Sequence, residues 1–101
     1  MKETPDIEVI FKFNGTRTRN IHDGYRPAHL VKDDYLTTGV HHYYGTDVIG
    51  PSDTVRGTIT FITPEYYPHT MWIGKEIRIQ EGPKVIGYAT VTKIFNELLM
   101  R

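Results

Sequence analysis

The sequence predicts an all-β fold, a single six-stranded antiparallel closed barrel. Apolar residues alternate with polar ones at period two, as in Ile7, Val9, Phe11 and Phe13 and again in Val55, Gly57, Ile59 and Phe61. Short strand-like runs are separated by Gly, Pro and Asn turn signals at fairly regular spacing. Glycines inside those runs, Gly57, Gly74 and Gly87, suit tight bends where barrel strands cross closely. Closure would also remove the open edges that let sheets aggregate.

Taken in order, residues 7–13 form the first strand, ended by the Asn14-Gly15 turn signal. Residues 16–23 are polar and carry Arg17 and Arg19. Residues 25–31 form a second short strand that Pro27 places near an edge or a bulge. After the charged turn Lys32-Asp33-Asp34, residues 35–44 are rich in Thr, Val and Tyr and form the third. Residues 45–52 are a loop, and residues 55–63 a fourth strand stopped by Pro64. Residues 65–70 read as a loop displaying an exposed Tyr66-Tyr67 pair. Residues 72–81 and 84–94 pair as a hairpin about Gly82-Pro83, and residues 95–101 favour a helical turn. The expected core is Ile59, Phe61, Ile77, Ile79, Ala89 and Val91.

A chain of 101 residues is one domain, here a barrel over residues 6–94 with a tail over 95–101. Twelve basic and twelve acidic residues give zero formal charge, whereas nucleic-acid domains usually carry a basic excess. The absence of cysteine excludes disulfides, thiolate metal sites and cysteine nucleophiles. No apolar run reaches signal-peptide or membrane-helix length, so a cytoplasmic location without membrane contact is expected.

The stretch from Gly50 to Ile94 resembles the last three strands of the C-terminal β-barrel of bacterial elongation factor Tu. Gly24-Tyr25-Arg26-Pro27 and Thr37-Thr38-Gly39-Val40 match that domain in the same order, so the likeness covers residues 6–94. It implies a stand-alone, translation-related barrel without the GTPase domain. The family's barrel helps hold the T-stem of aminoacyl-tRNA. Of its RNA-side positions, the resemblance retains Arg17, Glu81 and Gly82. It departs at Thr18, Ala28, His41, Thr63, Gln80 and Pro83, where family residues that serve RNA are replaced. Replacing basic residues by Thr63 and Gln80 removes charge-assisted phosphate contacts, and Pro83 removes a backbone donor. Arg78 stands where the family has a small residue near the seam with the GTPase domain, which implies a freed surface.

No G-x-x-x-x-G-K-[ST] phosphate loop occurs, so GTP binding is not expected. His41 and His42 are adjacent on a strand and point to opposite faces, so they cannot chelate one ion; no metal or other cofactor is expected. Ser52 and Asp53 lack a nucleophile-elbow context, and no catalytic residue is assigned. The function expected is a non-catalytic binding module that docks on a protein partner through the hairpin around Arg78 to Lys84 together with the loop at Arg17, with Arg78, Lys84, Tyr66 and Tyr67 as candidate docking residues. Two alternatives stand beside it. One is weak binding of tRNA-like RNA through Arg17, Glu81 and Gly82; the other is a homodimer formed through the freed surface.

Overall fold

A computed structural model describes residues 4–101, and strands dominate them. The elements are β1 (Ile7–Phe13), β2 (Ile21–His22), β3 (Ala28–Lys32), β4 (Tyr35–Tyr43), β5 (Val48–Ile49), β6 (Thr54–Phe61), β7 (Glu76–Glu81) and β8 (Lys84–Ile94), with 3₁₀ turns at Pro64–Tyr66 and Glu97–Leu99. Six strands close into a barrel in the order β1-β6-β4-β3-β7-β8, and β8 pairs back onto β1. Every pairing in it is antiparallel.

Period-two alternation sets the barrel's inside. Ile7, Val9, Phe11 and Phe13 of β1 and Ile59 and Phe61 of β6 are buried, while Lys12 and Arg56 stay in solvent. The six expected core residues are all inside: Ile59, Phe61, Ile77, Ile79, Ala89 and Val91. Two of the in-strand glycines mark close crossings. A Cβ at Gly57 would lie 2.0 Å from the carbonyl oxygen of His42, and one at Gly87 would lie 2.6 Å from that of Lys12.

The structure corrects several sequence-based boundaries. The second strand begins at Ala28 rather than at residue 25, because Pro27 has no N–H to give to the ladder. Residues 21–22, in a stretch read only as polar, and residues 48–49, expected in a loop, form a small ribbon of their own. Residues 72–75 are a turn rather than the start of β7: the Lys75 amide donates to the Trp72 carbonyl (3.1 Å), and Gly74 has φ +91°, which an L side chain rarely adopts. Gly74 therefore serves a turn and not a strand crossing. The tail makes a single 3₁₀ turn, capped by the Asn96 side chain accepting from the Leu98 amide (3.1 Å).

Buried Asp6 ties that tail to the barrel. Its carboxylate accepts from the Phe61 amide (2.7 Å) and from the Asn96 side-chain amide (2.8 Å), and its carbonyl accepts from the Phe95 amide (2.9 Å). Among the described residues, no helix is long and apolar enough to cross a membrane.

Candidate functional site

The antiparallel barrel has two distinct ends. One, the hairpin end, carries the β7–β8 turn and the loop after β1. The other, the tail end, carries the connection from β6 to β7 and residues 95–101.

At the hairpin end, Asn14 fixes the loop. Its side-chain amide donates to the Val85 carbonyl (2.9 Å), and its side-chain oxygen accepts from the Thr16 amide (3.0 Å). Gly15, at φ +83°, donates its amide to the Pro51 carbonyl (2.9 Å). This brings Arg17 onto Glu81, with the Tyr25 hydroxyl donating to the same carboxylate oxygen. The Arg17 guanidinium also sits 5.0 Å above the Tyr25 ring. Burial, and the bond to Glu81 that requires its proton, push the Tyr25 hydroxyl above the ordinary tyrosine range. Arg17 and Glu81 line an open cleft of about 250 Å³ together with Arg19 and Lys84.

Two residues of the RNA-side trio thus satisfy each other. Glu81 neutralises Arg17, and Tyr25 takes up more of the carboxylate's accepting capacity. Gly82 sits in the adjoining turn at φ +56°, and that backbone geometry alone explains a glycine there. Arg19 and Lys84 are exposed and make no ion pair among the described residues, which leaves them as the cleft's open cations.

Inside the barrel, sequence reasoning missed a buried polar relay. His29 of β3 and His41 of β4 are both fully buried, with their Nε2 atoms 2.7 Å apart. The surroundings fix the tautomers. His29 Nδ1 faces the Thr37 carbonyl at 3.2 Å and so must donate to it, which makes His29 Nε2 an acceptor. His41 Nε2–H then donates to His29, and its free Nδ1 accepts from the Tyr43 hydroxyl at 2.9 Å. One donor meets one acceptor at each step with both rings neutral. Burial pushes His29 down to about 4, and burial together with the neighbouring His29 pushes His41 well below the ordinary histidine range. The expectation that His41 and His42 face opposite ways holds: His42 is exposed and contacts Asp23 at 3.0 Å. Among the described residues, no three His, Asp or Glu side chains converge as a metal-ligand group.

The tail end is built differently. Tyr67 does not belong to an exposed pair: it is fully buried, its ring packed edge-on to Phe61 at 5.5 Å and its hydroxyl 3.4 Å from that of Thr37. That removes it from the docking candidates, because the 3₁₀ turn at Pro64 rolls its side chain under the loop. Burial raises its hydroxyl to about 12. Tyr66 remains two-thirds exposed. Lys75 clamps the loop that follows: its ammonium donates to the Val31 and Thr70 carbonyls and lies 4.7 Å from the Trp72 ring. Arg101 covers the same indole at 4.4 Å. His69, held at φ +61°, donates its backbone amide to Leu98 (2.9 Å) and its ring Nδ1–H to Met100 (2.9 Å).

These contacts gather three segments and leave their apolar side chains outside. Ile62 and Tyr66 come from the first, Trp72 and Ile73 from the second, and Phe95, Leu98 and Met100 from the tail. Of the eleven exposed large hydrophobic side chains among the described residues, these seven share one end of the barrel. The docking candidates are therefore split. Lys84 is at the hairpin end, Tyr66 is at the tail end, and half-buried Arg78 lies mid-strand between Leu30 and Tyr88.

The fold and these surfaces define a small closed antiparallel barrel with a charged cleft at one end and an apolar cap at the other. No family model matches the chain.

Proposed function

We propose that the protein is a non-catalytic binding module, related as its sequence suggests to the C-terminal barrel of elongation factor Tu, and that it docks on a protein partner through its tail end. The observation that carries this is the concentration of exposed Ile, Leu, Met and aromatic side chains there. Isolated exposed apolar residues are ordinary, but several on one rigid surface mark an interaction site. The resemblance supports a translation-related setting in the cytoplasm.

Replacing Ile73 and Leu98 together by aspartate should lower recovery of the native partner by at least about tenfold, since a few central apolar anchors hold most interface energy. Both side chains are exposed, at 62% and 43%, so the thermal melt should hardly move. Arg78→Glu with Lys84→Glu, at the barrel wall and the hairpin end, should leave recovery unchanged. If the hairpin pair abolishes capture while the tail pair does not, the docking surface is at the wrong end.

A second reading, weak binding of tRNA-like RNA, is favoured by the open cations Arg19 and Lys84 beside Arg17 in the cleft. With Arg17 already paired to Glu81, only two or three phosphate contacts are available. The slope of log affinity on log salt should then be shallow, roughly −2 to −3. Filter binding from low to high salt measures it; tight binding with a much steeper slope would make RNA the main ligand.

A further inference from the structure

We propose that the apolar tail end pairs with the same surface of a second copy of this chain, forming a two-fold homodimer. This rests on the docking reading of that end and names the partner.

A two-fold contact must be complementary to itself, because each patch meets its own image. The charges around the tail end fit that demand. Glu65 and Glu97 are exposed on the two 3₁₀ turns, and Arg101 and Lys93 are exposed beside them. None of the four makes a salt bridge among the described residues, although Lys93, opposite Glu8 across the ladder, helps hold that carboxyl below the ordinary range, and Arg101 lies on the Trp72 ring. A rim of both signs can meet its own image with opposite charges facing, whereas a nucleic acid or an acidic partner would call for one sign. The whole chain carries no formal net charge, so two copies do not repel at long range.

The surface is also set before docking. Lys75 fixes the turn that presents Trp72 and Ile73, and Asp6 and His69 fix the tail that presents Leu98 and Met100. Little conformational freedom remains to be lost on association. Pairing would cover apolar area that one barrel alone leaves in water.

Sedimentation equilibrium of the full chain, loaded from about 1 μM to about 1 mM, spans the affinities such a patch supports. The average mass should rise from the single-chain 11.7 kDa toward twice that value. Ile73→Asp with Leu98→Asp should hold it at the single-chain mass, while the far-ultraviolet spectrum and melt stay those of the wild type. A wild-type chain that stays monomeric throughout overturns the homodimer, as does a dimer that survives the double substitution. A photo-crosslinker at Ile73, used in native lysate, separates the two ideas. A monomeric wild type that crosslinks to a different protein sinks the homodimer and keeps the docking reading. A monomer that crosslinks to nothing removes both.

Discussion

Lowering the pH from 7 to 4.5 should destabilise this barrel earlier, and more steeply, than its carboxylates alone would. His29 and His41 are folded as neutral rings in a fully buried relay. The unfolded chain takes up protons near pH 6.5, whereas folded His29 does so only near 4 and folded His41 only well below the ordinary histidine range. Between those values the unfolded state holds more protons. Stability contributed by the pair is therefore complete above about pH 6.5 and is lost as pH falls through the window. His29 alone accounts for a loss approaching about 3 kcal/mol, at up to about 1.4 kcal/mol per pH unit. That is a large fraction of the 5–15 kcal/mol typical of a domain.

No ring can take a proton without breaking the relay. Phe11 packs on His41 at 4.3 Å and Phe61 on His29 at 5.7 Å; Tyr25 meets His41 edge-on at 5.6 Å, with its hydroxyl already committed to Glu81. Urea unfolding at pH 7, 6, 5 and 4.5 would show the slope. His41→Phe keeps the volume but leaves a lone acceptor on His29 and a lone hydroxyl on Tyr43, and should cost about 2–5 kcal/mol at pH 7. The triple variant His29→Leu, His41→Phe, Tyr43→Phe removes the relay as a unit; its stability should be nearly flat from pH 7 to 5. A wild-type slope no steeper than that of the triple variant would refute this account.

The barrel was legible because alternation is a local signal. β1 and β6 show it in seven or eight consecutive residues, and Ile7, Val9, Phe11, Phe13, Ile59 and Phe61 of the expected inward set are in the observed core, whereas Val55 is only half-buried and Glu8 and Thr58, expected outward, are buried as well. What escaped depended on contacts between distant residues. His41 and Tyr43 could be placed on one face from the sequence, but their partner His29 sits on the neighbouring strand, and only register brings it to 2.7 Å. Its position two residues before buried Val31 was the available hint. Tyr67 looked exposed because it stands among polar loop residues, and its burial depends on the 3₁₀ turn at Pro64–Tyr66 and on packing against Phe61, which local spacing does not signal. The apolar run Met71-Trp72-Ile73 imitated a strand start, and only the left-handed Gly74 reveals a turn. At the charged cleft, Arg17 and Glu81 were named from the resemblance, yet their mutual pairing could be seen only once the loop and the hairpin were placed together.

Adding a single methyl group at Gly57 should disrupt the fold more than replacing the exposed Ile73 and Leu98 together. Gly57 lies in β6 between β1 and β4, opposite Val9 on one side and Tyr43 on the other. Its missing Cβ would stand 2.0 Å from the His42 carbonyl oxygen and 3.0 Å from a ring carbon of Phe11. The first obstacle is backbone in the β4–β6 ladder and cannot turn aside as a side chain would. The strands would have to separate by more than 1 Å, roughly the gap to ordinary van der Waals contact. In a closed barrel, that separation strains the ring at its other pairings too. Overpacking a well-filled interior typically costs about 1–3 kcal/mol, and an immovable backbone obstacle puts Gly57→Ala at or beyond the upper end. Gly74→Ala is the matched comparison. Nothing lies within 4 Å of its Cβ position, so its cost is only that of a left-handed backbone at φ +91°, on the order of 1–2 kcal/mol. Thermal and urea unfolding of the two variants should rank Gly57→Ala well below Gly74→Ala. If Gly57→Ala unfolds within about 1 kcal/mol of the wild type, a typical surface-scale change, then β4 and β6 do not approach as closely as this barrel requires.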